Sequence, residues 1–228
     1  MRLRLCLRGL LDGEAPTRST SGRSARIASM SETVTPRQPR VLAVWLIIAG
    51  AVGWWAAFSL TMERFHQLMD GGAAASCDFS VLVQCTANLK SWQGSVFGFP
   101  NPIIGLAAWI APIVVGFAIL AGARFARWFW IIFWLGIAGA MTFVIWLISQ
   151  SIFVLGTLCP WCMVTWSVTI PTFIVVTLHL FREGIFPVGQ KARDAASSLM
   201  AWVPLMAFGA YVVVAVIAQL RLNVLGQI

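Results

Sequence analysis

Five blocks of mainly apolar residues restrict the fold of this sequence more than any other feature. Each block holds about 20 residues, enough to cross the roughly 30 Å hydrocarbon layer of a bilayer as an α-helix. Because the bilayer core offers no partner for exposed backbone groups, a helix is the natural structure for such a block. The sequence therefore predicts an all-α polytopic membrane protein, with spans at 41–62, 102–122, 128–150, 158–181 and 199–220.

The composition supports a membrane protein and argues against a nucleic-acid binder. Charged residues make up 11% of the chain, less than half of the roughly 25% found in ordinary soluble domains. The net charge of +8 suits a nucleic-acid surface, but eight of the sixteen basic residues precede Val41 and most others flank the apolar blocks. That distribution is typical of the charges that orient a membrane protein.

The same charges predict which way the chain crosses the membrane. If the N-terminus is cytoplasmic, the inner segments are 1–40, 123–127 and 182–198. These segments hold thirteen of the sixteen Lys and Arg residues, and the outer segments hold three. The positive-inside rule therefore places the N-terminus in the cytoplasm and the cysteine pairs described below on the outer side of the cytoplasmic (inner) membrane.

Four parts follow from the span pattern. The first is a tail rich in Arg, Ser, Thr and Pro, which we expect to be disordered. A four-helix core with a long outer loop, a basic cytoplasmic loop, and a fifth helix with a short outer tail come after it. Their limits are 1–40 for the tail, 41–181 for the core, 63–101 for the outer loop, 182–198 for the basic loop and 199–228 for the last part.

Two cysteine pairs lie on the predicted outer side. Cys77 and Cys85 belong to the outer loop, and Cys159 and Cys162 form a CxxC motif where the fourth span begins. A CxxC at a helix start puts its first thiol near the positive end of the helix dipole, which favours the thiolate. The spacing of the loop pair fits a zinc site poorly, so we expect no metal. A static disulfide between Cys77 and Cys85 remains an alternative.

Two pairs at one membrane face suggest a relay of electrons. Thiolates attack disulfide sulfurs, so a disulfide can pass from one pair to the other. Oxidation of two thiols releases two electrons, which is the number that a membrane quinone accepts. Cys6, in the N-terminal tail, is interpreted as a bystander. The rival from another class is a non-catalytic membrane component whose disulfides only fix its outer loops.

The cysteines stand within longer motifs that resemble the bacterial vitamin K epoxide reductase family. The motifs are Cys77-Asp78 with Cys85, Ser91-Trp92, the stretch FGFPNP at 97–102, Gly105, and Leu158 before the CxxC. The resemblance covers about 41–181. It implies a four-helix bundle around a quinone, with the loop cysteines over its mouth and a fifth transmembrane helix added outside the family core.

The resemblance also implies an order for the four cysteines. Cys77 would exchange with a secreted thioredoxin-fold partner of the DsbA type, Cys85 would pass electrons to Cys159, and Cys162 would react with the quinone. The expected activity is quinone-dependent thiol-disulfide oxidoreduction that supports disulfide formation in exported proteins, with menaquinone or ubiquinone as cofactor. Reduction of a naphthoquinone or of vitamin K epoxide as the main role is the alternative within the family.

Three further residues are expected to contact the quinone. Asn101 matches the family residue that hydrogen-bonds a quinone carbonyl, although an Asn before Pro102 also suits a helix N-cap. Trp166 stands where vertebrate members carry a Tyr, and its indole N–H can donate a hydrogen bond or simply pack. Phe97, in the loop motif, completes the set.

Overall fold

The described residues form a helical protein. The computed structural model describes residues 39–72 and 74–223, so the predicted disordered tail lies almost entirely outside them. Within these ranges, one isolated parallel β-bridge joins Val83 and Leu158. The eight α-helices there are α1 Arg40–Met69, α2 Thr86–Lys90, α3 Pro102–Ala108, α4 Ile110–Leu120, α5 Arg127–Gln150, α6 Pro160–Arg182, α7 Gln190–Leu199 and α8 Val203–Leu222.

Five segments are long and apolar enough to cross a membrane. They are Arg40–Met69, Pro102–Leu120, Arg127–Leu155, Pro160–Arg182 and Gln190–Leu222. The prediction of an all-α, multi-pass membrane protein with five spans is therefore confirmed. The first helix continues seven residues beyond 62, where the sequence pattern had placed its end, so the chain between the first two spans is shorter than predicted.

Helices α1, α4, α5 and α6 form the central bundle. One buried cluster takes side chains from all four of them, among them Leu46, Val115, Phe133 and Val176. This cluster lies towards the end of the bundle where α1 begins and α6 ends. The four cysteines lie at the other end, called the cysteine end below. Helix α8 lies beside this bundle, against α6 and the short π-helical turn Ser151–Leu155 that follows α5.

The second span is interrupted at Trp109, between α3 and α4. Pro112 explains the position of the break because its nitrogen carries no hydrogen for the Ala108 carbonyl, four residues earlier. Helix α3 ends at Ala108. The two pieces still run as one apolar segment through the bundle.

Glycines allow α1 and α4 to approach closely. A Cβ on Gly116 would lie 2.7 Å from the Ala43 carbonyl oxygen and 2.7 Å from Ile47 Cγ1, and a Cβ on Gly50 would lie 2.6 Å from Ile113 Cγ1. Membrane helices use such small residues because close backbone contact, rather than exclusion of water, stabilises their association. The packing of α1 on α4 therefore requires glycine at these positions.

Replacing Gly116 with alanine should destabilise the bundle. The added methyl meets main-chain atoms of α1 that cannot rotate away, so we expect a loss of about 2 kcal/mol, as for other overpacked sites. Thermal unfolding in detergent measures the effect. Gly139→Ala on α5 is the matched control, since no atom of the described chain lies within 4 Å of its added Cβ. Equal stability of the two variants would contradict the close-packing argument.

Candidate redox site

The loop between the first two spans carries a disulfide between Cys77 and Cys85. Hydrogen bonds hold both ends of the disulfide loop to the end of α1. The Thr86 hydroxyl accepts from Ala75 N at 2.8 Å and from Gln67 Nε2 at 3.2 Å. The Glu63 carboxylate accepts from Ser76 N at 3.0 Å. The disulfide therefore stands at a fixed place above the bundle.

Asp78 connects the two halves of this loop. Its Oδ1 accepts from the backbone N–H of Cys85 at 2.7 Å and of Thr86 at 3.0 Å. Partial burial raises the pKa of Asp78, but hydrogen bonds from the side chain and backbone of Thr86, and from the backbone of Cys85 and Ala75, outweigh burial and lower the pKa below its ordinary value. The ionised carboxylate thus satisfies the N–H groups where α2 begins.

A short stretch of main-chain pairing joins the loop to the CxxC motif. Leu158 N donates to the Leu82 carbonyl at 2.7 Å, and Gln84 N donates to the Leu158 carbonyl at 3.0 Å. Cys85 follows Gln84 and Cys159 follows Leu158, so this pairing sets the register of the two cysteines. Their Sγ atoms lie 3.4 Å apart, and both residues are 0% exposed. That separation is within the 3–3.5 Å of a near-attack geometry.

Polar side chains reinforce the same junction. Asn88 Nδ2 donates to Thr157 Oγ1 at 3.0 Å, and Ser151 Oγ donates to Asn88 Oδ1 at 2.9 Å. Ser151 and Thr157 are buried and lie on either side of Gly156, whose φ of 66° turns the chain towards Leu158. Helix α2 is therefore anchored to the segment that leads into the CxxC.

Cys159 and Cys162 carry free thiols at the start of α6. Cys159 is the residue immediately before the helix, with Pro160 in its first turn. A hydrogen bond from the Cys162 thiol is the main cause that lowers the pKa of Cys159. Burial opposes it, and the N–H groups of Cys162 and Trp161 lower the pKa further. The sulfur that contacts Cys85 thus belongs to a thiol whose pKa is lowered, which favours its thiolate.

The bundle contains a partly open cavity of about 720 Å³ that reaches these cysteines. Its walls are apolar side chains of α1, α3, α4, α5 and α6, and both Cys159 and Cys162 line it. Amide side chains of Gln93, Asn101 and Gln150 line its wall as well. A mostly apolar space of this size with a few polar groups is typical of a site for an organic cofactor.

The three predicted quinone contacts occupy different places. Asn101 and Trp166 line the cavity, and Trp166 is buried. Phe97 is 60% exposed, packs against Phe143 with ring centroids 6.0 Å apart, and is not among the described residues that line the cavity.

Asn101 stands at the N-cap position of α3 but makes no side-chain cap hydrogen bond. Its amide instead accepts from Val96 N at 3.1 Å and donates to the Gln93 carbonyl at 2.6 Å.

Sequence reasoning missed Gln93 and Gln150. Gln93 is 3% exposed, and its Nε2 donates to Gln150 Oε1 at 3.3 Å. Gln93 Oε1 is buried and has no hydrogen-bond partner among the described residues. Such an oxygen carries a desolvation cost unless a ligand or another group pairs with it. The sequence did offer one sign of a functional role for Gln93, because this residue directly follows the Ser91-Trp92 motif.

Metal-type side chains also meet at the disulfide. One potential ligand atom from each of Cys77, Asp78 and Cys85 lies within 4.8 Å of the others. Two of these atoms are the sulfurs of the disulfide, which lack the thiolate charge that binds zinc. In this disulfide form the two sulfurs are therefore not zinc ligands.

The comparison with family models decides the family. The model of the vitamin K epoxide reductase family matches residues 44–177, which is more than half of the chain and includes both cysteine pairs. The chain belongs to the vitamin K epoxide reductase family. No match was found among curated proteins or among solved structures. The family resemblance predicted from the motifs is confirmed, and α7 and α8 lie beyond the matched residues.

Membership of this family indicates the general type of reaction. Members of this family are oxidoreductases associated with quinones, and the cysteine arrangement fits quinone-linked thiol chemistry. In this vitamin K epoxide reductase family member, the Cys77–Cys85 disulfide touches a free thiol of the CxxC motif. The cavity lies on the other side of that motif. The arrangement can therefore pass a disulfide between the pairs and place one pair beside a bound cofactor.

Removing the Cys162 thiol should shift the ionisation of Cys159 to higher pH. The hydrogen bond from Cys162 stabilises the Cys159 thiolate, so its loss in Cys162→Ala raises the pKa of Cys159. Thiolate absorbance at 240 nm, followed against pH in protein with an intact Cys77–Cys85 disulfide, measures the midpoint. Cys6→Ser is the control and should leave the midpoint of Cys159 unchanged. If the ionisation midpoint of Cys159 is unchanged or lower in Cys162→Ala, the hydrogen bond from Cys162 is not the cause of the lowered pKa.

Replacing Asp78 with alanine should loosen the loop. The variant leaves two N–H groups without their acceptor, at a cost of about 1 kcal/mol, as for other lost helix caps. Because folding lowers the pKa of Asp78, this stabilisation is present above the unfolded value of ~3.9 and is lost as pH falls through the folded value. Unfolding at pH 7 and pH 3 should show the wild type and Asp78→Ala converging at low pH. Asp70→Ala, which removes an exposed carboxylate just after α1, is the control and should match the wild type in stability at pH 7.

Proposed function

We propose that this protein oxidises the dithiol of a secreted thioredoxin-fold partner and transfers the two electrons to a membrane quinone. The observation that supports the proposal most directly is the 3.4 Å contact between the sulfurs of Cys85 and Cys159. It joins a disulfide to a free thiol of a second pair in a buried setting. A structural disulfide has no need of a free thiol at that distance.

The contact also favours an order of events. Cys85 already touches Cys159 and is 0% exposed, whereas Cys77 is 4% exposed, so we assign the reaction with the partner to Cys77. A partner thiolate attacks Cys77 and releases the Cys85 thiolate. The second partner thiol then attacks the mixed disulfide, which leaves the partner oxidised and Cys77 reduced.

The second exchange passes the electrons inward. The Cys85 thiolate attacks Cys159 of a Cys159–Cys162 disulfide and releases the Cys162 thiolate. Cys77 then attacks Cys85, which restores the loop disulfide and leaves Cys159 and Cys162 reduced. This last state is the one that the structure shows. Two thiols have been exchanged for one disulfide at each stage, so atoms and electrons balance.

The cavity beneath the CxxC motif fits a quinone. Its apolar walls suit a ring with a prenyl tail, and the unpartnered Gln93 Oε1, beside Asn101 and Gln150, suits the O–H donor of the quinol that forms on reduction. A bound quinone supplies a two-electron, two-proton acceptor. Oxidation of Cys159 and Cys162 back to a disulfide releases that number of electrons and protons. Cys162 lines the cavity, and we assign it the cofactor-side role.

The charge distribution supports the location of the reaction. Thirteen of the sixteen basic residues fall in segments that we place in the cytoplasm, which puts the cysteine end on the outer side of the inner membrane. A partner there would be a secreted protein. The outer loop offers it an apolar surface, because Phe79 and Val81, between the two loop cysteines, are 75% and 82% exposed.

Purified protein should reduce menaquinone or ubiquinone when it is supplied with a reduced DsbA-type thioredoxin-fold protein. We expect turnover in the wild type and in Cys6→Ser, and at least a 100-fold lower rate in Cys77→Ala, Cys85→Ala, Cys159→Ala and Cys162→Ala. Quinol absorbance and partner thiol titration measure the two half-reactions. Turnover that survives in folded Cys162→Ala would contradict the role of Cys162, and no turnover in folded wild-type protein would favour the purely structural alternative.

The order of exchange has its own test. Cys85→Ala leaves Cys77 as a free thiol, so its thiolate should attack a partner cysteine that has been activated as a mixed disulfide with thionitrobenzoate. The attack releases thionitrobenzoate and joins Cys77 to the partner in a disulfide that Cys85 can no longer resolve. Mass spectrometry of the trapped species identifies the joined residues. A partner adduct that forms at Cys85 in Cys77→Ala, and not at Cys77 in Cys85→Ala, would reverse the assigned order.

A further inference from the structure

Helix α8 lies outside the family-matched residues, and it makes one hydrogen bond that stands out. The hydroxyl of Tyr211 donates to the Ser167 carbonyl of α6 at 2.5 Å. Tyr211 is the single tyrosine of the chain. Both residues lie within apolar spans, where a hydroxyl without a partner is costly. The bond therefore satisfies a group that the lipid cannot.

The acceptor is free because of Pro171. In an α-helix the carbonyl of residue 167 accepts from the N–H of residue 171, and Pro171, inside α6, has none. Ser167 thus offers an unpaired carbonyl at the proline, and Tyr211 supplies the missing donor from a neighbouring helix. Membrane helices tolerate internal prolines where neighbours satisfy such groups.

The rest of α8 packs on the redox centre itself. Ala218 is buried in one cluster with Ile152, Leu158 and Trp166, and Cys162 packs against that cluster. Near the end of the helix, the Arg221 guanidinium lies 5.0 Å from the centroid of the Phe153 ring. Helix α8 therefore packs against α6 and shares a buried cluster with Leu158, which sets the register of Cys85 and Cys159.

From these contacts we infer that α8 helps to position the redox centre, and that Tyr211 is a positioning residue for Cys162. By donating to the Ser167 carbonyl it holds the turn of α6 that Pro171 leaves one hydrogen bond short, and with it the place of the CxxC turn over the cavity. The inference concerns the step from the CxxC pair to its acceptor and so rests on the proposed function. The loop disulfide is held by α1 and Asp78, and its reaction with the partner does not involve this turn of α6.

The test separates the two half-reactions in full-length protein. In Tyr211→Phe, oxidation of the partner by the preformed loop disulfide in a single turnover should stay within twofold of wild type. Steady-state quinone reduction should fall roughly fivefold, the size expected for loss of one hydrogen bond. Val213→Ala is the control, because Val213 lies on α8 and is 57% exposed. It should match the wild type in both measurements.

A second variant tests the physical cause. Pro171→Ala restores the N–H that Ser167 lacks within its own helix, so the Tyr211 hydroxyl is no longer needed there. Tyr211→Phe should then change quinone reduction by less than 1.5-fold in the Pro171→Ala background, a strongly non-additive result. An equal effect of Tyr211→Phe in both backgrounds, or equal slowing of both half-reactions, would overturn the inference.

A third readout needs no quinone. In fully reduced protein, N-ethylmaleimide should alkylate Cys162 at least threefold faster or slower in Tyr211→Phe than in wild type, with Cys77 unchanged. Mass spectrometry gives both rates. If wild-type protein reduces no quinone, the proposed function fails, whereas the alkylation rates in the four combinations of Tyr211 and Pro171 variants still decide the role of Tyr211. Unchanged Cys162 reactivity would overturn it.

Discussion

Two main-chain hydrogen bonds at Leu158 hold the site together. They pair the middle of the disulfide loop with the residue just before the CxxC motif, and no side chain is needed to specify that pairing. The remaining contacts serve this junction. Asp78 closes the loop, Asn88 and Ser151 anchor α2 to the π-helical turn, and the bundle below supplies a rigid base. Because backbone pairs are insensitive to side-chain identity, the loop between Cys77 and Cys85 can vary in sequence while the sulfurs keep their register.

The sequence predicted the larger features because simple physics determines them. Block length and hydropathy predict spans, and five spans were found. The cysteine motifs, with their flanking residues, predicted the family. The direct contact of Cys85 with Cys159 agrees with the order that the family resemblance implied, although each residue's role remains a proposal.

Other features depend on contacts between distant segments, which no local pattern encodes. Asn101 illustrates this: the sequence suggested a cap or a quinone ligand. The structure shows no cap hydrogen bond, and the Asn101 amide joins two parts of its own loop through Val96 and Gln93, while its role towards a quinone stays a prediction. Gln93 and Gln150 meet across 57 positions of sequence, and Tyr211 and Ser167 across 44. A proline within a span and a single tyrosine in another span are both visible in the sequence, but only the fold shows that each supplies what the other lacks.

The Leu158 pairing has a kinetic consequence. When the loop disulfide is opened, Cys85 remains tethered beside Cys159, so its encounter with the second pair is intramolecular and has a high effective concentration. The internal step is then first-order and does not depend on how dilute the protein is in the bilayer. Only arrival of the partner and of the lipid-soluble acceptor would respond to abundance, and cells could adjust the overall flux through either of those two pools.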